Sequence, residues 1–307
     1  MVLDDKQKAQ ITEEYKNYGM DEPIRQYAVK RNNILEIISL NVTDKDKRVM
    51  KDFDNFRSKV QSVRNMHQLA IDSYFDLTKF HAKDNKASIG SESIDSVNRL
   101  VINFVSNVKL FMDFYEKWCK KNLDGKWDSW RKEESETYDK YLSYRLCYGL
   151  RNFVQHRGLP IASKKTRIIK LGKLESTMTD YMLNLPEIMQ DNSFVNKLKI
   201  KQNYFEDETK LSFMPYANEY IDKINLLYII GMRFYIGNHR DFLIGTQVYF
   251  QKRELKENYF WSDVTKAQML QGELLKELNP MITLATVDRL VLTLGEEGII
   301  DVLKQKR

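Results

Sequence analysis

Between residues 148 and 160 the chain reads YGLRNFVQHRGLP, and three of those side chains have the types and spacing to act on a phosphodiester. Asn152 and His156 are four residues apart, about 40° round an α-helix, so they are neighbours on one face. Tyr148 and Gly149 continue that face one turn earlier. Arg151 lies about 140° from His156, so its guanidinium must either curl back or meet a histidine from a second chain. An imidazole exchanges protons near neutral pH, which typically accelerates a reaction ~10²–10⁴-fold. A guanidinium holds two phosphate oxygens at once and offsets the charge that grows on them in the transition state. An amide orients either group without titrating. Such a set suits cleavage of a phosphodiester by the RNA's own 2′-hydroxyl, and none of this needs a metal ion.

The elements that must position this set are predicted to be long helices. Twelve glycines and five prolines are few for 307 residues, whereas 17 Tyr, 15 Phe and 4 Trp supply a sizeable core. Val49, Phe53, Phe56, Val60, Val63, Ala70 and Leu77 step by three, four or seven through residues 44–82, the mark of one amphipathic helix. Val97, Val101, Phe104, Val108, Phe111 and Trp118 do the same over 91–122. A third helix is expected from near Trp130, through Leu142, Leu146, Leu150 and Phe153, until Gly158 and Pro160 stop it. The expected fold is therefore all-α, an up-and-down bundle over residues 44–162. A lesser helical segment over 1–43 precedes it, and a mostly helical region over 163–307 follows. Within that region residues 162–179 alternate and are β-branched, which predicts a short hairpin or an extended connector. Helical periodicity returns near 186–200, 208–236, 240–256, 263–278 and 284–305.

Arg151, four residues, then His156, with Asn152 directly after the arginine and the whole set late in a bundle helix, resembles the Arg-x4–6-His motif of the HEPN superfamily (higher eukaryotes and prokaryotes nucleotide-binding). The likeness covers residues 44–162. Gly158 stands where the members paired with small nucleotidyltransferase antitoxins carry a tyrosine, a departure from that subgroup. The resemblance implies a helical bundle whose site forms where two chains face each other, so a homodimer with a composite active site. It implies a metal-independent endoribonuclease leaving 2′,3′-cyclic phosphate and 5′-hydroxyl ends, with Arg151, Asn152 and His156 catalytic. It further implies a toxin or antiviral-defence effector, as in abortive infection, and a protein antitoxin or regulator as a possible partner. The alternative is a non-catalytic homodimeric module that binds RNA or a nucleotide.

Downstream, Arg157, Lys164, Lys165, Arg167, Lys170 and Lys173 form a basic run with no acid in it, suited to neutralising phosphates. With Arg145 and Tyr148 on the flanks, the residues expected to contact RNA are Arg145, Tyr148, Arg157, Lys164, Lys165 and Arg167. A net charge of +6 permits such a partner without demanding it. Glu133, Glu134 and Glu136 read as ordinary first-turn acids. His67, His81 and His239 lack a second ligand at metal-binding spacing, and no cofactor is expected. Cys119 and Cys147 form no CxxC pair and suit a reducing interior. The longest apolar run, residues 226–232, is far short of the ~20 residues a bilayer requires, so the expected location is cytoplasmic, with no membrane partner.

Overall fold

The computed structural model describes residues 13, 19, 23–31, 34–84, 93–171, 174–200, 204–265, 268 and 278–300, and there the protein is mostly helical with two small antiparallel sheets. In chain order the elements begin with β1 (Pro23–Arg31), β2 (Ile34–Ile38), α1 (Asp44–Asp84), α2 (Ile94–Asn122), α3 (Trp127–Lys140) and α4 (Leu142–His156). There follow β3 (Ile161–Leu171), β4 (Leu174–Leu183), α5 (Leu185–Ile188), α6 (Asn192–Leu198) and α7 (Phe213–Asn238). The chain ends with α8 (Arg240–Lys252), β5 (Tyr259–Thr265), β6 (Asn279–Pro280) and α9 (Leu284–Glu296). No described helix is long and apolar enough to cross a membrane.

Two compact units divide the chain: residues 60–238, and residues 1–59 together with 239–307. The first is a helical bundle. Ser93 caps α2 by accepting the Ser96 amide, and the stripe Val97, Val101, Phe104, Val108, Phe111 and Tyr115 is fully buried. It meets Leu146, Leu150 and Phe153 of α4, and both pack on α7. The later part of α1 closes the bundle: Tyr74 lies 5.8 Å from Phe104, and His67 stacks at 3.9 Å on Tyr228 of α7.

The expected boundary at residue 162 is therefore moved. The bundle takes α7 from beyond the hairpin, because Phe213, Ala217, Tyr220, Ile224, Leu227 and Met232 are apolar and must be covered. The hairpin itself forms where it is expected, β3 pairing β4 along its length. Buried Asn98 on α2 ties it down by bonding both main-chain groups of Ile161, each at 2.9 Å. The expected third helix is two helices, split at Tyr141, which has extended backbone angles.

The second unit departs further from an all-α expectation. Pro23–Arg31 and Ile34–Ile38 form strands, not helices, and a four-stranded sheet runs in the order β2-β1-β5-β6. The run YFWSDVT at 259–265, aromatic and β-branched, makes a strand where a helix was expected to start at 263. The helices expected before residue 23 and over most of 266–277 lie outside the described residues. At the start of α1, Thr43 and Asp46 form a reciprocal cap. Buried Asp46 also accepts the Tyr249 hydroxyl at 2.7 Å and the Arg253 guanidinium at 2.9 and 2.8 Å.

Burial alone would push the Asp46 carboxyl up, but the bonds from Arg253, Thr43 and Tyr249 outweigh it and hold the group well below the ordinary carboxylate range. The resulting stability is present above the unfolded value near ~3.9 and is lost progressively as pH falls from there through the much lower folded value. Urea unfolding is expected to show a midpoint that falls steadily as pH drops from about 5 to about 2 in the native chain. Asp46→Asn should be destabilised by about 2 kcal/mol at pH 7 and change much less across that range.

Candidate active site

One side of α4 is fixed by packing, which decides what its other side presents. Ser143, Leu146, Cys147, Leu150 and Phe153 are buried. A Cβ at Gly149 would fall 1.9 Å from the Phe194 ring, so this glycine serves close approach by α6 of the same chain. The opposite side carries Asn152 and His156, both exposed, and half-buried Arg151. The Arg151 guanidinium donates to the Asn152 amide oxygen at 3.1 Å. Among the described residues Arg151 meets no carboxylate and the His156 ring has no hydrogen-bond partner. His156 is the last residue of the helix. One chain thus joins Arg151 to Asn152 and leaves the exposed imidazole a turn away.

Arg145, expected to contact RNA, is instead buried, and its guanidinium is consumed by the main chain. It donates to the carbonyls of Tyr138 at 2.9 Å, Asp139 at 2.5 Å and Leu198 at 2.9 Å. A cation here satisfies the last carbonyls of α3 and α6 together and complements both helix dipoles. The split at Tyr141 exposes the α3 carbonyls that Arg145 takes.

The basic run is met by acids from elsewhere in the fold. Lys164 lies 3.1 Å from buried Asp84, Arg167 2.5 Å from Asp180, and Arg157 3.8 Å from Asp191. Lys165 is exposed and also has an interaction within the fold. Lys173 lies outside the described residues. Three of the run's six cations are therefore paired with acids distant in sequence, which no local reading of 157–173 reveals.

Tyr148, the remaining expected contact, lines a cleft of about 460 Å³ with Lys109, Asp113, Glu134, Tyr138 and Tyr144. Lys109 sits 4.9 Å over its ring. Arg151 and Asn152 follow Tyr148 by three and four residues, so the cleft adjoins the exposed face of α4. Glu134 is a residue that sequence reasoning passed over. Because α3 starts at Trp127, Glu134 stands in the second turn, mostly buried, bonded by the Tyr144 hydroxyl at 3.2 Å and Arg131 at 2.8 Å. Burial pushes its carboxyl up, and Arg131 and Tyr144 pull it back in part. The one available signal was its i,i+4 spacing to Tyr138. Trp130 on α3 is wholly buried and donates to the Leu227 carbonyl at 3.1 Å.

Of the other histidines, His67 bonds Asn225 at 2.8 Å. His81 Nε2 donates to the Thr179 carbonyl at 2.6 Å. His239 packs 5.3 Å from Phe56. Comparison of the chain with protein families, with curated proteins and with solved structures finds no match.

Arg145→Lys is expected to lower stability by about 2–4 kcal/mol, since one ammonium cannot span carbonyls on two helix ends. Urea unfolding of the variant beside the native chain, compared at equal slope, checks this. A full-length variant with unchanged stability and weakened RNA binding would return Arg145 to the nucleic-acid interface.

Proposed function

We propose that this protein is a metal-independent endoribonuclease of the HEPN type, acting as a homodimer whose composite site is built from Arg151, Asn152 and His156 of both chains. The observation that supports the reading is that Arg151, bonded to Asn152, and His156 one turn further on all lie outside the packed side of one helix, with no carboxylate on the guanidinium among the described residues. Exposure matters because each group must reach a phosphodiester. The angular offset of Arg151 from His156 is resolved by a second copy facing the first.

In this reading the 2′-oxygen attacks phosphorus, the 5′-oxygen leaves, and the products are a 2′,3′-cyclic phosphate and a 5′-hydroxyl. His156 as imidazole takes the 2′-hydroxyl proton, and the facing His156 as imidazolium delivers a proton to the leaving oxygen. Arg151 holds the two non-bridging oxygens, where negative charge increases, and Asn152 fixes the guanidinium through the bond at 3.1 Å. Such an enzyme would act in the cytoplasm and arrest growth as a toxin or antiviral effector, restrained by an antitoxin or regulator.

Purified full-length protein incubated with total RNA in excess EDTA tests the reading. Cleavage should persist in EDTA, leave cyclic phosphates, and fall at least ~10²-fold in His156→Ala and in Arg151→Ala. Linear 3′-hydroxyl ends, or cleavage unchanged in both variants, would overturn it. The second reading, a non-catalytic RNA-binding module, is favoured by the unoriented His156 ring; it predicts bound RNA that stays intact.

A further inference from the structure

A second set of cations lines the surface of the unit formed by residues 1–59 and 239–307. Two clefts there share a wall made of Arg57 and the segment 280–282. The first, about 360 Å³, is lined by Arg25, Tyr27, Lys47, Lys51 and Trp261. Asp54 is the one acid in its lining, and Arg57 holds it at 2.7 Å. The second, about 550 Å³, is lined by Lys30, Tyr259, Phe260 and Arg289, with no acid in its lining.

The sequence places these groups by simple rules. Lys47 and Lys51 are four apart on α1, so they share a face. Tyr27 and Trp261 are directly opposite in the antiparallel pair of β1 with β5, so their rings project from the same side of the sheet. Arg25 lies 4.1 Å over the Trp261 ring and is held by both oxygens of Asp263 at 2.9 Å, which stiffens that wall. Lys47 pairs with exposed Asp44 at 3.0 Å. Among the described residues Lys30, Lys51 and Arg289, all exposed, form no ion pair.

We infer that these adjoining clefts bind a single-stranded segment of RNA. Its phosphates follow Lys51, Arg57, Lys30 and Arg289, and an unpaired base packs against Tyr27 and Trp261. Aromatic faces interleaved with cations, of which Lys30, Lys51 and Arg289 form no ion pair among the described residues, are the pattern that tracks a single strand, because every base offers a π-face and every nucleotide a charge. A cleft of this size admits one base or nucleotide and excludes a duplex. The acid-free lining disfavours a cationic ligand, and the rings give phosphate alone nothing to contact. This site stands independently of whether Arg151 and His156 cleave.

Fluorescence anisotropy of a labelled 15-nucleotide oligouridylate, in EDTA and at several salt concentrations, tests the inference. Full-length protein carrying His156→Ala keeps the probe intact, and chemical analysis of cleavage by the native chain is scored separately, so failure of the nuclease reading leaves this test standing. Lys51→Glu with Arg289→Glu should weaken binding at least ~10-fold and lower the salt slope by about one to two. Trp261→Ala should weaken it about tenfold, and Trp261→Phe, which keeps a stacking face, should restore most of the loss. Lys120→Glu with Lys121→Glu, an equal charge change on α2, should bind as the parent does. Thermal unfolding verifies that each variant is folded.

Absence of binding, a matched loss in the α2 control, or full binding by both the Lys51/Arg289 and Trp261→Ala variants would overturn the inference. So would displacement of the RNA by an acidic peptide at equal charge with no dependence on Trp261.

Discussion

The bundle of residues 60–238 depends on the way α7 is gripped at Gly231. The Tyr115 hydroxyl donates to the Tyr228 carbonyl at 2.8 Å and the Trp130 indole donates to the Leu227 carbonyl at 3.1 Å, side by side on α7. Both rings reach those carbonyls because Gly231 has no side chain; a Cβ would meet the Tyr115 oxygen at 2.3 Å and Trp130 at 3.0 Å. Two buried donors are satisfied in this way, which avoids the cost of an unpaired polar group in an apolar core, about 1–3 kcal/mol each. The rings then stack outward, Tyr115 at 5.2 Å from Phe111 and 5.8 Å from Trp118, so α2, α3 and α7 share one aromatic seam.

That seam settles the orientation of α4. With Leu146, Leu150 and Phe153 committed to the core and Phe194 seated over Gly149, the helix cannot rotate without leaving cavities or clashes. Arg145 locks its first turns through carbonyls of α3 and α6. Asn152 and His156 are then left outward by elimination, held by a rigid helix and not by a loop. Side chains so placed combine fixed geometry with free access.

Charge in this protein is organised mainly by tertiary pairing. Asp84 receives Lys164 at 3.1 Å and the Tyr181 hydroxyl at 3.1 Å, and so joins the end of α1 to both strands of the hairpin. Asp180 receives Arg167 and, at 3.0 Å, the Ser212 hydroxyl. In the other unit Asp46 plays a similar part between α1 and α8 with its flank. Each carboxylate turns neighbouring cations into structural groups, and the cations left over are those whose strands and helices bring no acid within reach.

Sequence by itself was enough for the elements whose signal is local. The stripes of α1, α2 and α7, the stop at Gly158 and Pro160, and the alternating residues of β3 and β4 are read from periods of 3.6 and 2, because burial of one face imposes those periods. The spacing of Arg151, Asn152 and His156 was legible for the same reason: it is a property of one helix. What only the tertiary structure decided is everything that joins distant segments. It made Arg145 a structural cation and paired the run from Arg157 to Arg167 with Asp191, Asp84 and Asp180. It turned Pro23–Arg31 and Ile34–Ile38 into strands, where β1 is flanked by β2 and β5. It also moved Glu134 from a helix start to a cleft wall. Partner choice across more than a hundred residues leaves no period in the sequence, because it depends on which surfaces packing brings within a few ångströms.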